Sequence, residues 1–181
     1  MLMKSNRSFI LKLEFIGIVF IVILGSILHF TFELFGNNPL VGAFSAVNES
    51  VWEHLKLAFW PALFYAIIEY CYLRKIAGSF FFSKAVGIYL MPLAIVLLFY
   101  SYRAFLEENL GLDILIFVIA VVAGQFASFK LLTWKEVPNI YSKFSVIALT
   151  FLAVIFIIFT FYPPQLPMFQ DPISGRYGIS E

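Results

Sequence analysis

Residues Phe15 to Phe32 read FIGIVFIVILGSILHFTF, and this stretch decides the fold class. It contains no Asp, Glu, Lys or Arg, and His29 is its one ionisable side chain. An α-helix needs about 20 predominantly apolar residues to cross a hydrocarbon core about 30 Å thick. We therefore predict a transmembrane helix at residues 13–35.

The segment before this span carries positive charge at Lys4, Arg7 and Lys12, as a secretory signal peptide does. The apolar stretch is longer than the core of a signal peptide, and no Ala-x-Ala-like cleavage site follows it. We therefore expect an uncleaved first span.

Composition extends the prediction to the whole chain. Hydrophobic residues form 62% of the 181 residues and charged residues 13%, whereas about a quarter of the residues in a soluble domain are charged. Long apolar stretches predict further spans at residues 50–73, 82–102, 112–132 and 144–162. The expected fold is an all-α integral membrane protein, a bundle of about five transmembrane helices in the lipid bilayer. The net charge of +1, without a basic stripe, argues against nucleic-acid binding.

Residues 163–181 form a proline-rich tail after the last predicted span. Pro163, Pro164 and Pro167 exclude a regular α-helix there, because proline lacks the backbone donor that a helix needs. Residues such as Phe169 and Tyr177 make the tail too apolar for a free disordered segment. We predict an ordered, non-helical, extracytoplasmic tail packed on the outer face of the bundle.

The basic residues predict the orientation in the membrane, because Lys and Arg in short loops stay on the cytoplasmic side. With a cytoplasmic amino terminus, 9 of the 12 basic residues lie inside. These nine are Lys4, Arg7, Lys12, Arg74, Lys75, Lys84, Lys130, Lys135 and Lys143. We expect a multi-pass protein of the cell membrane with its carboxyl terminus outside.

Polar side chains gather at the predicted outer ends of the first two spans. His29 and Glu33 lie four residues apart on the first span, so they share a helix face. Glu49 and Glu53 have the same spacing at the start of the second span, beside His54. Imidazoles and carboxylates suit a divalent metal such as zinc. We predict His29, Glu33 and His54 as metal ligands, and Glu49 or Glu53 as the general base for a metal-activated water.

Three further polar residues are predicted to bind a ligand near this cluster. Asn48 precedes the second span, Arg103 ends the third and could neutralise the acidic groups, and Asp171 begins an Asp-Pro turn in the tail. Asp171 is expected to face Arg103 or the histidines. Glu69, at the other end of the second span, is expected to reach the membrane interface or Arg74.

A purely structural interpretation of the cluster stays open. Ser50 and Glu53 form a capping-box pattern, and acidic residues near a helix amino terminus are favoured by the macrodipole. His29 could be a neutral histidine that bonds to Glu33 or Asn48 and joins two helices.

Three classes of function therefore remain. The first is a metal-binding membrane protein, including a metal-dependent hydrolase of a lipid-linked substrate. The second is a transporter or permease component, although no internal repeat is visible. The third is a non-catalytic scaffold, with a second copy of the chain or another membrane subunit as its partner.

The stretch from Asn48 to Lys56, NESVWEHLK, is the most distinctive motif. His29-Phe30 precedes it, and the tail that follows the last span contains Asp171-Pro172 and Tyr177-Gly178. With these residues, nearly the whole chain resembles an uncharacterised family of small prokaryotic multi-span membrane proteins, classed as a domain of unknown function. The resemblance implies a multi-span membrane protein with an Asn-Glu-Ser-x-Trp-Glu-His-x-Lys signature, and it implies no activity.

Overall fold

The computed structural model of this protein describes residues 2–134 and 137–179. Lys135, one of the basic residues that predict the orientation, lies outside the described residues, as do the side chain of Lys4 and the last two residues of the tail.

The described residues form six α-helices and no strand. The helices are α1 (Leu2–Leu34), α2 (Pro39–Gly42), α3 (Val51–Leu73), α4 (Phe80–Arg103), α5 (Leu110–Leu132) and α6 (Asn139–Phe161). By length and composition, four helices are able to cross a membrane: α1 from Asn6 onward, α4, α5 and α6. The chain is therefore all-helical, with four long apolar candidate spans.

Helix α3 matches α4, α5 and α6 in length but carries Glu53, Lys56 and Glu69 among its apolar residues. It packs antiparallel to α1, as contacts at both ends show. His54 Nε2 lies 3.2 Å from His29 Nε2 at one end, and the Tyr65 hydroxyl donates to the Leu13 carbonyl at 2.5 Å at the other. Most of its side chains are buried, so α3 lies inside the bundle.

The segment between α1 and α3 contains the short helix α2. The Asn38 side chain accepts a hydrogen bond from the Leu40 amide and caps α2, and Pro39 occupies the first turn. Proline is favoured there because its missing N–H would have no partner within the helix. At the start of α3, the Ser50 side chain accepts from the Glu53 amide at 3.4 Å, as the capping pattern predicts.

Aromatic side chains form the core where α3 begins. The Trp52 ring centroid lies 4.8 Å from that of Phe156 on α6 and 4.7 Å from that of Phe169 in the tail. Phe169 belongs to a short 3-10 helix, Pro167–Phe169, so the tail contains one helical turn that the sequence analysis did not predict. The tail also has a bridge between Gln170 and Tyr177. The contacts of the Phe169 ring with Trp52 and with Phe159, whose centroid lies 5.5 Å away, hold the tail against α3 and α6.

Glycines bring α4 and α5 together. A Cβ on Gly124 of α5 would lie 2.6 Å from the Gly87 carbonyl oxygen and 2.5 Å from Met91 Cγ, both on α4. Since one of these neighbours is backbone, it cannot move aside without shifting the helix.

We predict that Gly124→Ala destabilises the protein by about 1–3 kcal/mol through overpacking. Alanine is about 1 kcal/mol better than glycine inside a helix, so a net loss identifies the steric effect. Thermal melting of the purified protein in detergent measures it. Val122→Leu on the exposed face of α5 is the control. A melting temperature unchanged or raised by Gly124→Ala contradicts the close packing.

We also predict that Phe169→Ala lowers the melting temperature, because truncating a buried phenylalanine costs about 3–5 kcal/mol. Phe169 is 4% exposed, whereas Ile173 in the same tail is 82% exposed. Ile173→Ala is therefore the matched control and should melt like the parent protein. Equal melting of the two variants would show that the tail does not stabilise the bundle.

Candidate functional site

The two histidines of the chain meet between α1 and α3. The Nε2 atoms of His29 and His54 are 3.2 Å apart, and their ring centroids are 5.1 Å apart. The predicted proximity of these residues is confirmed. It follows from the antiparallel packing of α1 and α3, which brings the end of one helix to the start of the other.

Glu49 completes a three-residue cluster with these histidines. Its Oε2 atom lies 3.6 Å from His29 Nε2 and 3.4 Å from His54 Nε2. Glu49 is in the loop directly before the α3 cap residue, Ser50. The side chains of His29, His54 and Glu49 are 26%, 35% and 43% exposed, so the cluster is accessible from outside the bundle.

The protonation states of two groups in the cluster follow from their partners. The imidazoles of His29 and then His54 beside it hold the pKa of Glu49 well below its usual value, so Glu49 is a carboxylate at neutral pH. His54 Nδ1 lies 2.9 Å from the Ser50 carbonyl oxygen. A carbonyl only accepts, so Nδ1 carries a proton and His54 Nε2 is free to act as a ligand atom.

Asn48 positions the loop that carries Glu49. Its Oδ1 accepts from the Ser50 amide at 2.9 Å, and its Nδ2 donates to the Gly178 carbonyl in the tail, also at 2.9 Å. Asn48 therefore joins the loop to the tail, and these two hydrogen bonds fix the backbone on either side of Glu49.

Asp171 organises the tail and meets the same loop. Its carboxylate accepts from the amides of Ile173 and Ser174 at 3.2 and 3.1 Å, and also from the Ser174 hydroxyl. The backbone amide of Glu49 is a further donor to it. Burial opposes ionisation, but these hydrogen bonds together hold the pKa of Asp171 below its usual range. The expected partners were Arg103 or the histidines, whereas the observed partners are backbone amides and Ser174.

Glu53 is engaged in a buried ion pair. Its Oε2 accepts from Lys56 Nζ at 2.6 Å and from the Val47 amide at 3.0 Å. Lys56 Nζ also donates to the Gly42 carbonyl at 2.8 Å and to the Thr160 hydroxyl at 2.7 Å. Glu53 and Lys56 are 2% and 0% exposed. This carboxylate is held by structural donors and is shielded from solvent.

The remaining predicted site residues lie outside the three-residue cluster. Glu33 is exposed near the end of α1, although it shares a helix face with His29. Arg103 is also exposed, and its Nη1 donates to the Leu106 carbonyl at 3.3 Å. The carboxylate that meets the histidines thus comes from the loop and not from α1.

Asp113, in the first turn of α5, was not among the predicted site residues. It interacts electrostatically with His54, and it accepts a hydrogen bond from the Tyr102 hydroxyl at 2.6 Å. Its position at the outer end of a predicted span was the only sequence signal for it. Asp113 belongs to α5 and His54 to α3, so their interaction depends on how these helices pack in the bundle.

Comparisons with known proteins place the chain in a family without assigning it an activity. No curated protein and no solved structure matches the chain significantly. A family model described as a family of unknown function, DUF6512, matches residues 2–179. This match covers almost the whole chain, including the three-residue cluster, all the helices and the tail. The chain therefore belongs to the DUF6512 family of unknown function.

Proposed function

We propose that this protein is an integral membrane protein that binds one divalent transition-metal ion, such as zinc, through His29, Glu49 and His54. One observation carries the proposal: the three ligand atoms lie 3.2, 3.4 and 3.6 Å from one another. They can all face a single point, and no two of them belong to the same structural segment. Such convergence of two imidazoles and a carboxylate is typical of metal sites.

The distances fit tetrahedral coordination. Zinc binds histidine nitrogen at about 2.0–2.1 Å, so two ligands at adjacent corners of a tetrahedron are about 3.3–3.4 Å apart. The three separations in the cluster fall close to this length. An ion at their centre would need only small movements of the side chains.

Charge and hydrogen bonding support the same assignment. His54 Nδ1 donates a hydrogen bond to the Ser50 carbonyl. In metal sites, the ring nitrogen of a histidine that does not bind the metal commonly donates such a hydrogen bond. With Nδ1 protonated, His54 Nε2 faces the ionised Glu49 across 3.4 Å, and either a proton on Nε2 or a bound cation must lie between them. In the proposed metal-bound state the cation takes the place of that proton.

The proposed activity is metal-assisted hydrolysis of a lipid-linked substrate. His29, Glu49 and His54 would hold the ion with three ligands, as in catalytic zinc sites, and the ion would supply a water activated for attack at neutral pH. The partial exposure of the cluster allows a substrate to approach it. Glu53 has no part in this reaction because Lys56 and Val47 engage its Oε2.

One observation favours a second candidate, a non-catalytic scaffold. The 3.2 Å between the two Nε2 atoms also fits a direct hydrogen bond, in which His29 donates to His54. The cluster would then join α1 to α3 without a metal. A measurement of metal binding distinguishes the metal-binding protein from the non-catalytic scaffold.

The topology that we propose has five spans and a cytoplasmic amino terminus. Helix α3 joins the four apolar helices as a span because it packs along α1 from the histidines to Tyr65. Its charged side chains are buried and paired: Glu53 with Lys56, and Glu69 with Lys84. The excess of basic residues on one side supports this orientation.

We predict that the metal-free protein binds one Zn²⁺ per chain in calorimetric titration, with a matching rise in melting temperature. His29→Ala and His54→Ala should each weaken binding at least tenfold, since loss of even an outer hydrogen-bond partner of a ligand costs about 10–100-fold. Glu49→Gln should weaken it as well, whereas Glu33→Gln is the matched control and should bind like the parent. Absence of stoichiometric binding supports the scaffold, and equal effects of the two glutamate variants contradict the assigned ligand set.

We further predict that reporter fusions find the amino terminus in the cytoplasm and the carboxyl terminus outside. A fusion in the connection between α3 and α4, residues 74–79, should report a cytoplasmic position and serves as the internal control. If α3 does not cross the membrane, this connection and the amino terminus fall on opposite sides, and the five-span topology is wrong.

A further inference from the structure

A second polar cluster lies at the opposite end of α1 and α3 from the histidines. Glu14 of α1, Glu69 of α3 and Lys84 of α4 meet there, and we call them the inner triad. Lys84 Nζ donates to Glu14 Oε1 at 2.7 Å and forms an ion pair with Glu69 Oε2. Glu14 lies 15 residues before His29, about 22 Å along the helix, so the two clusters are separate sites.

The inner triad is closed to solvent. Glu14, Glu69 and Lys84 are 2%, 1% and 3% exposed. The Ser128 hydroxyl of α5 donates to Glu14 Oε1 at 3.0 Å, which is the same oxygen that Lys84 binds. Residues of four helices therefore surround these charges, and bulk water does not solvate any of the three groups.

Among the described residues, the polar groups next to the triad do not supply a second positive charge. Gln125 donates to the Glu14 backbone carbonyl at 3.4 Å, and the Tyr65 hydroxyl, which interacts electrostatically with both carboxylates, donates to the Leu13 carbonyl. Arg7, a cation on the same part of α1, lies over the ring of Phe129, 5.6 Å from its centroid. Lys12 is exposed.

Two carboxylates and one ammonium give the triad a formal charge of −1. An uncompensated charge is strongly disfavoured in a site closed to solvent, so the site needs one more positive charge. Three buried carboxylate oxygens, Glu14 Oε2 and both oxygens of Glu69, accept no hydrogen bond in the described part of the chain, and of these only Glu69 Oε2 has the ion pair with Lys84. Both the missing charge and the unused acceptors point to a ligand that is positive and hydrogen-bonding.

We propose that the inner triad is a proton-binding site, in which Glu14 and Glu69 share one proton beside Lys84. A hydronium ion supplies the proton: one of its O–H bonds breaks as an O–H bond forms on one carboxylate, a water molecule leaves, and the other carboxylate stays ionised beside Lys84. A sodium ion fits less well, because it needs several oxygen ligands while the triad offers two free ones and an adjacent ammonium. The protein thus carries a protonatable site in addition to the outer cluster.

Infrared spectra of the purified protein in detergent test this proposal, taken as differences between the parent protein and each variant. At neutral pH the parent protein should show one carboxylic-acid C=O band that shifts in D₂O. Glu69→Gln or Glu14→Gln leaves one carboxylate facing Lys84, so each variant should lose the band. Lys84→Met removes the cation, so the remaining pair should bind two protons and the band should double. Glu107→Gln, at an exposed position, is the matched control.

Each alternative has its own result. A parent protein without the band, or glutamine variants that keep it unchanged, would overturn the proposal. A band that disappears on addition of Na⁺ at constant pH would identify a metal cation as the ligand instead and would also overturn it. Glutamine has the shape of a protonated glutamic acid, so the single variants should fold, and thermal melting verifies this; they decide the question even if Lys84→Met does not fold.

Discussion

Lys56 is completely buried, and the need to satisfy its ammonium group organises the end of the bundle where α3 begins. The ammonium has three N–H donors, and the structure gives each a partner: Glu53 on α3, the Gly42 carbonyl at the end of α2, and Thr160 on α6. Breaking a buried pair costs about 3–5 kcal/mol, because the remaining charge has no solvent to compensate it. The contacts of Lys56 therefore join α3 to α2 and to the distant helix α6.

The same pair positions the candidate metal site. Glu53 accepts from the Val47 amide as well as from Lys56, so the loop before α3 is held close to the helix that it precedes. Asn48 then connects this loop to Gly178 of the tail. Glu49, between these anchors, is directed to the histidines. The site thus depends on a charge pair that takes no part in metal binding.

Helix α3 has buried charges near both of its ends, and their balance differs. Near the start of α3, Glu53 and Lys56 cancel each other. Near its end, Glu69 shares Lys84 with Glu14, so one positive charge is lacking. A buried ionisable group is costly unless its charge is compensated. A balanced pair is explained by structure alone, whereas an unbalanced triad requires a ligand.

The sequence alone determined the helical fold class and the meeting of His29 with His54, because apolar length and a short connection between two helices depend only on the order of residues. Tertiary structure decided which carboxylate joins the histidines. Helical spacing predicted Glu33, but the path of the loop delivers Glu49, and such a path depends on hydrogen bonds to distant segments. It also decided that Glu69 meets Lys84 and not Arg74, because helix packing, and not spacing along one helix, selects the partners of buried charges.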